Sequence, residues 1–309
     1  MRILVTGASG LIGKRLVRAL LARDDTVLAL SRSIIPDIND TKFESLIGDP
    51  TQPGSWLDVI PTCDAVVHLA GEPVFAKRWS DAFIETIRAS RVKSTKLIAD
   101  ALAANPRRAD GSPRILVSGS AVGYYGADTG DRIITEADAP GSDPMATICR
   151  DWEDAASSAK AAGVRVCHPR TGIVLDPDGG ALPRMTLPFR LFVGGRIASG
   201  RQYVSWIHRD DMTALLLFAI DTPALHGPFN ATAPNPVTNR EFSANLGRVL
   251  HRPNWLPVPR FALRLALGRV VQVVAGGQRA LPAMAERLGF RFRHPELEPA
   301  LRELMSKES

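Results

Sequence analysis

Glycines stand at positions 7, 10 and 13, between an apolar run at residues 2–6 and a stretch with Ile12, Leu16, Ala19 and Leu20 at helical spacing. That spacing suits an anion cradle. Gly7 permits a tight turn, Gly10 lets the backbone approach a pyrophosphate, and Gly13 lets the helix pack close to the strand. The N–H groups at the helix start then face the phosphate charge. The second apolar run ends in Leu30-Ser31-Arg32-Ser33, without the carboxylate that an NAD site offers to the ribose 2′-hydroxyl. Arg32 suits a 2′-phosphate instead, so the expected cofactor is NADP(H). Asp49 is placed to meet the adenine amino group, and Ala70 and Gly71 to line pyrophosphate and ribose. The cofactor-binding set so expected is Gly7, Ser9, Gly10, Leu11, Ile12, Gly13, Ser31, Arg32, Asp49, Leu69, Ala70, Gly71 and Ser118.

These residues need strands to end beside one another. Apolar runs at 2–6, 26–30, 43–47, 65–69, 115–118 and 164–168 read as strands. Phe83, Ile84, Ile87, Ile98 and Leu102 mark a long amphipathic helix, and a further helix is expected over 145–162. Strands alternating with helices in this rhythm give an α/β fold, a Rossmann-type doubly wound parallel sheet. Past Arg170 the alternation breaks down. Residues 179–195 read as loop, with 179–203 a candidate lid, and 211–221, 239–250 and 260–287 as helical. The expected division is a dinucleotide domain over 1–170, to which residues 203–231 return. A smaller, mainly helical substrate region then comprises 171–202 and 232–309.

With 45% hydrophobic and 23% charged residues the 309-residue chain has globular composition, which argues against a disordered or disulfide-framework protein. The longest clean apolar run, 214–220, is too short to cross a bilayer, and the N-terminus shows no secretory pattern. The three cysteines form no metal-type spacing and fit a reducing cytosol, so a cytoplasmic protein without a metal is expected. Residues 240–309 carry 12 basic against 6 acidic side chains, the whole of the net charge of +6. Those arginines alternate with Leu, Phe and Ala as in a packed helical segment, and neither a nucleic acid nor a membrane is expected as partner.

Further marks are His68-Leu-Ala-Gly71, Ser118-Gly-Ser120, Gly123-Tyr-Tyr-Gly126, Cys149-Arg-Asp-Trp-Glu153, Arg170-Thr-Gly-Ile-Val-Leu-Asp176, Trp206-Ile-His-x-Asp-Asp211 and Asn230-Ala-Thr-Ala-Pro-Asn-Pro236. With the glycine cradle they resemble the extended short-chain dehydrogenase/reductases, and within them an atypical "epimerase family protein" branch. The resemblance covers nearly the whole chain. It implies NAD(P)-dependent oxidoreductase or epimerase chemistry, and a C-terminal module of unassigned function at about 253–301.

Those relatives use a Ser or Thr with a Tyr-x-x-x-Lys pair, whose lysine lowers the tyrosine pKa for proton exchange with substrate. Here the tyrosines are Tyr124, Tyr125 and Tyr203, followed four residues on by Asp128, Thr129 and Ile207. The pair is absent. The catalytic candidates left are Ser120 with Tyr124 or Tyr125, and Cys149, whose thiol a helix N-terminus would acidify. Glu153 reads equally as a base or an outward carboxylate, and His208 as a structural hydrogen-bonder. Either substitutes do the proton transfer, or the protein binds NADP(H) as a sensor without turnover; a structural role has no specific feature behind it. A small-molecule substrate, anionic on this reading, would meet Lys77, Arg78, Arg91, Arg170, Arg184, Arg190 and Arg201, with Trp79 and Trp206 as flat walls. A homodimer is the oligomeric option left open.

Overall fold

The computed structural model describes residues 1–36, 38–271 and 275–306. Its centre is an eight-stranded sheet built from β1 (Arg2–Thr6), β2 (Thr26–Ser31), β3 (Phe43–Ile47), β4 (Ala65–His68), β5 (Ile115–Ser118), β6 (Ser120–Ala121), β8 (Arg165–Thr171) and β13 (Gly227–Ala231). The order is β13-β8-β5-β4-β1-β2-β3, with β6 also on β8, and every pairing is parallel. Parallel strands are covered on both faces, which is why they read as near-continuous apolar runs. Because side chains alternate across a strand, Ile3 and Val5 pack against α1 (Leu11–Ala22) and α6 (Arg209–Asp221) through Leu16, Leu20, Leu215 and Leu216. Leu4, Leu28 and Val66 face the other way, onto Ile98 and Leu102 of α2 (Asp81–Ala104) and Ala159 of α4 (Ser157–Ala161).

The order turns back between β1 and β4, where β1 pairs with β2 on one side and β4 on the other. At such a switch point the loops after two neighbouring strands leave in opposite directions and open a crevice at their carboxyl ends. The segments that carry Gly7 and Ala70 flank it.

A third core lies beyond the sheet. Leu182 and Phe189 of α5 (Leu182–Arg190), Phe242 and Leu246 of α7 (Asn239–Leu250), and Leu297, Leu301 and Leu304 of α10 (Leu297–Ser306) pack there around Trp206. Beside it β9 (Ile173–Asp176) pairs with β10 (Gly179–Gly180) and with β12 (Trp206–His208), and β11 (Tyr203–Val204) pairs with β14 (Val237–Thr238).

Three stretches differ from expectation. Residues 179–195 hold α5, with Pro183 tolerated in its first turn and Pro188 inside it. The helix expected over 145–162 is two, α3 (Pro144–Asp154) and α4. Within the supposed helix at 260–287, α8 (Arg260–Leu267) and α9 (Ala283–Arg287) flank a strand, β15 (Gly277–Ala280), which pairs in parallel with β7 (Asp128–Ile134). Its Gly-Gln-Arg-Ala sequence has no β-propensity, and tertiary contacts impose the strand. Ser205 Oγ donates to Gln278 O at 2.7 Å and accepts from Ala280 N at 3.1 Å, and a Cβ on Gly277 would lie 1.9 Å from Tyr203 O. Among the described residues no helix is long and apolar enough to cross a membrane.

Candidate functional site

Gly7 leaves β1 at φ +69°, and a Cβ there would sit 2.8 Å from both Ala70 N and the Leu69 carbonyl carbon. A Cβ on Gly13 would fall 2.2 Å from Gly7 O. Both positions therefore require glycine. Gly10 is the N-cap of α1, extended, its N–H bonded to Gly7 O at 2.9 Å, and no side chain caps the helix. The first turn of α1 thus presents backbone donors that no side chain satisfies. Ser9 is exposed and Leu11 and Ile12 are half-buried, with Leu11 against the β9–β10 turn.

Ser31 Oγ reaches Ser9 Oγ at 3.4 Å. Arg32 is exposed and makes no side-chain hydrogen bond or ion pair among the described residues. Asp49 is close enough for the Arg32 charge to act on it. Its carboxylate accepts from Thr51 N and Thr51 Oγ1, both at 2.8 Å, and these bonds hold its pKa below the usual range.

Beneath the crevice lies a buried relay. Ser94 Oγ donates to Ser90 O at 2.6 Å, so it accepts from His68 Nε2 at 2.9 Å. His68 Nδ1 is then the acceptor for Thr6 Oγ1 at 2.6 Å, and Thr6 Oγ1 accepts from Ala70 N at 3.4 Å. The relay ties β1, β4 and α2 together and fixes the loop holding Leu69, Ala70 and Gly71. Complete burial pushes the His68 pKa down to about 3, so the ring is neutral. Ser118, at the end of neighbouring β5, has a buried hydroxyl without a partner among the described residues.

Around β6 and β8 the chain holds a buried polar construction. Arg170 Nε and Nη2 each donate at 2.8 Å to one carboxylate oxygen of Glu153, a bidentate pair on 3% and 11% exposed side chains. Ser120 Oγ donates to the same carboxylate at 2.7 Å. Arg170 Nη1 donates to Tyr125 Oη at 3.0 Å, and Tyr125 donates to Asn230 Oδ1 at 2.7 Å. Asn230 Nδ2 continues to Leu281 O at 2.9 Å, and its backbone N–H reaches Glu136 Oε1, also at 2.9 Å. Burial raises the Tyr125 pKa to about 12 despite Arg170. Tyr124 differs: its ring lies on the Arg170 guanidinium, 3.4 Å from Cζ to centroid, and its hydroxyl has no partner among the described residues.

One expectation needs correction here, and one open alternative is decided. Cys149 lies beyond the first turn of α3 and is 1% exposed; burial, then Glu153, push its thiol up to about 12, not down. Glu153 points inward, into the Arg170 pair. Several residues expected to meet substrate are engaged elsewhere. Arg170 is paired, and Arg91 donates to Glu72 O and Ile87 O at 3.0 and 3.1 Å while covering the Trp152 ring. Trp79 and Trp206 are buried, their indole N–H groups on Val74 O and Asn235 O. Arg78 donates to Leu265 O of α8, and Lys77, Arg184, Arg190 and Arg201 are exposed.

Sequence reasoning did not assign roles to His68, Ser94, Asn230 or Glu136. The first and third lie in motifs that were visible, but their partners are 26 to 105 residues distant.

The model of the "NAD dependent epimerase/dehydratase family" matches residues 3–231, and that of a "Domain of unknown function (DUF1731)" matches 258–304. The epimerase family protein SDR39U1 homolog of Arabidopsis thaliana, described as chloroplastic, is 41% identical over 313 residues, covering 99% of this chain and 87% of that protein. The epimerase family protein YfhF of Bacillus subtilis is 34% identical, covering 99% and 98%. The crystal structure of human epimerase family protein SDR39U1 (isoform 2) with NADPH is similar at a TM-score of 0.84 and 31% identity, with 99% of each chain covered.

Proposed function

This chain belongs to the NAD dependent epimerase/dehydratase family, and from that premise we propose that it is an NADP(H)-dependent oxidoreductase that reduces a carbonyl group with Tyr124 as the proton donor. The residues present fit the cofactor. Gly7 and Gly13 stand where any Cβ would collide with neighbouring backbone, and the α1 N-terminus is uncapped. Among the described residues Arg32 makes no ion pair and the buried Ser118 hydroxyl has no partner, and the Arg32 charge reaches Asp49. The human relative is a structure with NADPH. On this reading the Gly7–Gly13 turn and the first turn of α1 hold the pyrophosphate, Arg32 the 2′-phosphate and Asp49 the adenine amino group. Leu69, Ala70 and Gly71 line the ribose. Bound there, NADPH supplies a hydride.

The proton must come from the chain, and the Tyr124 hydroxyl carries the assignment. Tyr125 Oη already donates to Asn230 and Ser120 Oγ to Glu153, whereas Tyr124 Oη has no partner among the described residues. Tyr124 donates its proton to the substrate oxygen as the carbonyl carbon accepts hydride, and solvent reprotonates the phenol. Ser120, its own proton committed, offers only lone pairs and orients a substrate hydroxyl. A second reading, an NADP(H) sensor without turnover, is favoured by the missing lysine and by the closed bonding of Tyr125.

The experiment is calorimetric titration with NADPH and NADH, followed by absorbance-monitored oxidation of NADPH with a panel of aldehydes and ketones. NADPH-selective binding with oxidation is expected. Tyr124→Phe is expected to slow turnover by about 100-fold or more with NADPH affinity unchanged, and an unaffected rate overturns the assignment. Selective binding without oxidation establishes the sensor.

A further inference from the structure

At the N-terminus of α6, four metal-competent side chains from three segments converge. His208 is the N-cap of α6, Asp210 lies in its first turn, His294 precedes α10, and Glu303 lies on α10. One ligating atom from each lies within 4.8 Å of all the others. The two imidazoles stack with centroids 3.7 Å apart and planes tilted by 32°. Their side chains are 0% and 9% exposed, and neither His208 Nε2 nor His294 Nε2 has a hydrogen-bond partner among the described residues. His294 Nε2 lies 3.3 Å from Glu303 Oε2 without the alignment of a hydrogen bond. Buried ring nitrogens left unbonded are uncommon, and an ion is one of the standard reasons for them. The position of His294 is also set. Asp211 Oδ1 and Oδ2 accept the backbone N–H groups of Arg293 and His294 at 2.8 and 2.9 Å.

We propose that His208, Asp210, His294 and Glu303 bind one divalent transition-metal ion of the zinc class. Two imidazole nitrogens and two carboxylate oxygens are a donor set for zinc or cobalt; magnesium and calcium sites are built from oxygen alone. The Asp210 and Glu303 side chains are 37% and 29% exposed, which leaves a path from solvent. Ligand atoms around tetrahedral zinc lie about 3.4 Å apart for bonds of about 2.1 Å, so the group must contract. His208 contributes Nδ1 by giving up the 3.2 Å contact from Asp210 N, or Nε2 by moving its proton to Nδ1. An ion here would clamp α10 to the start of α6, joining the C-terminal segment to the helix that covers the sheet.

The test uses the full chain stripped with chelator. Titration with Co2+ followed by visible absorption, and with Zn2+ by calorimetry, is expected to show one ion per chain, with a higher thermal midpoint when loaded. Glu303→Gln and His294→Ala are each expected to weaken affinity by about 10-fold or more while leaving NADPH affinity unchanged. Glu303→Gln, a half-exposed surface change, keeps the test valid if His294→Ala fails to fold. The proposal is overturned by no stoichiometric uptake, by the same affinity in Glu303→Gln as in the unchanged chain, or by Mg2+ binding as tightly as Zn2+.

Discussion

The cradle after β1 and the knot around Arg170 lie at the carboxyl ends of strands of one sheet, yet they treat polar groups in opposite ways. In the cradle, donors are left over: the uncapped start of α1, the Arg32 guanidinium and the Ser118 hydroxyl. In the knot, Glu153, Arg170, Tyr125 and Asn230 bond to one another, and Tyr124 at its edge has a hydroxyl with no partner among the described residues. Unmet donors in a rigid setting cost stability that a ligand can return, whereas a closed network fixes geometry. On the proposed reading the first region binds and the second positions.

The sharpest way to break it is Arg170→Ala. This leaves the Glu153 carboxylate largely buried and unpaired, and denaturant unfolding should show a loss of about 3–5 kcal/mol. Pairing it with Glu153→Gln should recover part of that loss; a stable Arg170→Ala chain would mean the knot does not position anything. Next is Gly13→Val, whose Cβ would meet Gly7 O. NADPH affinity should fall about 100-fold or more by calorimetry, with a smaller loss of stability than Arg170→Ala produces. The relay beneath the cradle yields a pH dependence. His68 has a folded pKa of about 3 against 6.5 in the unfolded chain, so its contribution is intact above pH 6.5 and is lost as pH falls toward 3. Unfolding free energy should drop by about 1.4 kcal/mol per pH unit in that window on account of this residue, and His68→Gln should flatten the profile. The smallest effect belongs to Arg32→Glu. NADPH affinity should fall about 10-fold or more while NADH affinity hardly changes, and equal losses for both would remove the 2′-phosphate assignment.

The cradle was legible because its requirements are local: a strand, glycines at fixed spacing and a helix within twelve residues, each recognisable from type and period. The sheet was legible for the same reason, since strands buried on both faces announce themselves as apolar runs. The knot was not. Ser120, Tyr125 and Arg170 were each singled out, but nothing in their neighbours says that Glu153 turns inward or that Asn230 closes the group. β15 was missed because Gly277 is chosen by the backbone of Tyr203, and the backbone of Ala280 is held by the hydroxyl of Ser205, neither of which the local sequence shows. The acidified Cys149 thiol failed on burial, which overrides a helix terminus that is already more than a turn away.

The pairing of β15 with β7 has a consequence for how the chain is made. Leu281 O receives the Asn230 side chain, and Leu281 N bonds back to Ile134 O. A nascent chain emerging N-terminus first can assemble the cradle once β1, α1 and β4 are out of the ribosome, from contacts within its first 70 residues. It cannot close the bond from Asn230 to Leu281 until a segment nearly 150 residues downstream of β7 has been synthesised. A late-made segment thus completes a network begun in the first half of the chain, and a ribosome that stopped before residue 277 would release a dinucleotide fold whose Asn230 lacks its Leu281 anchor.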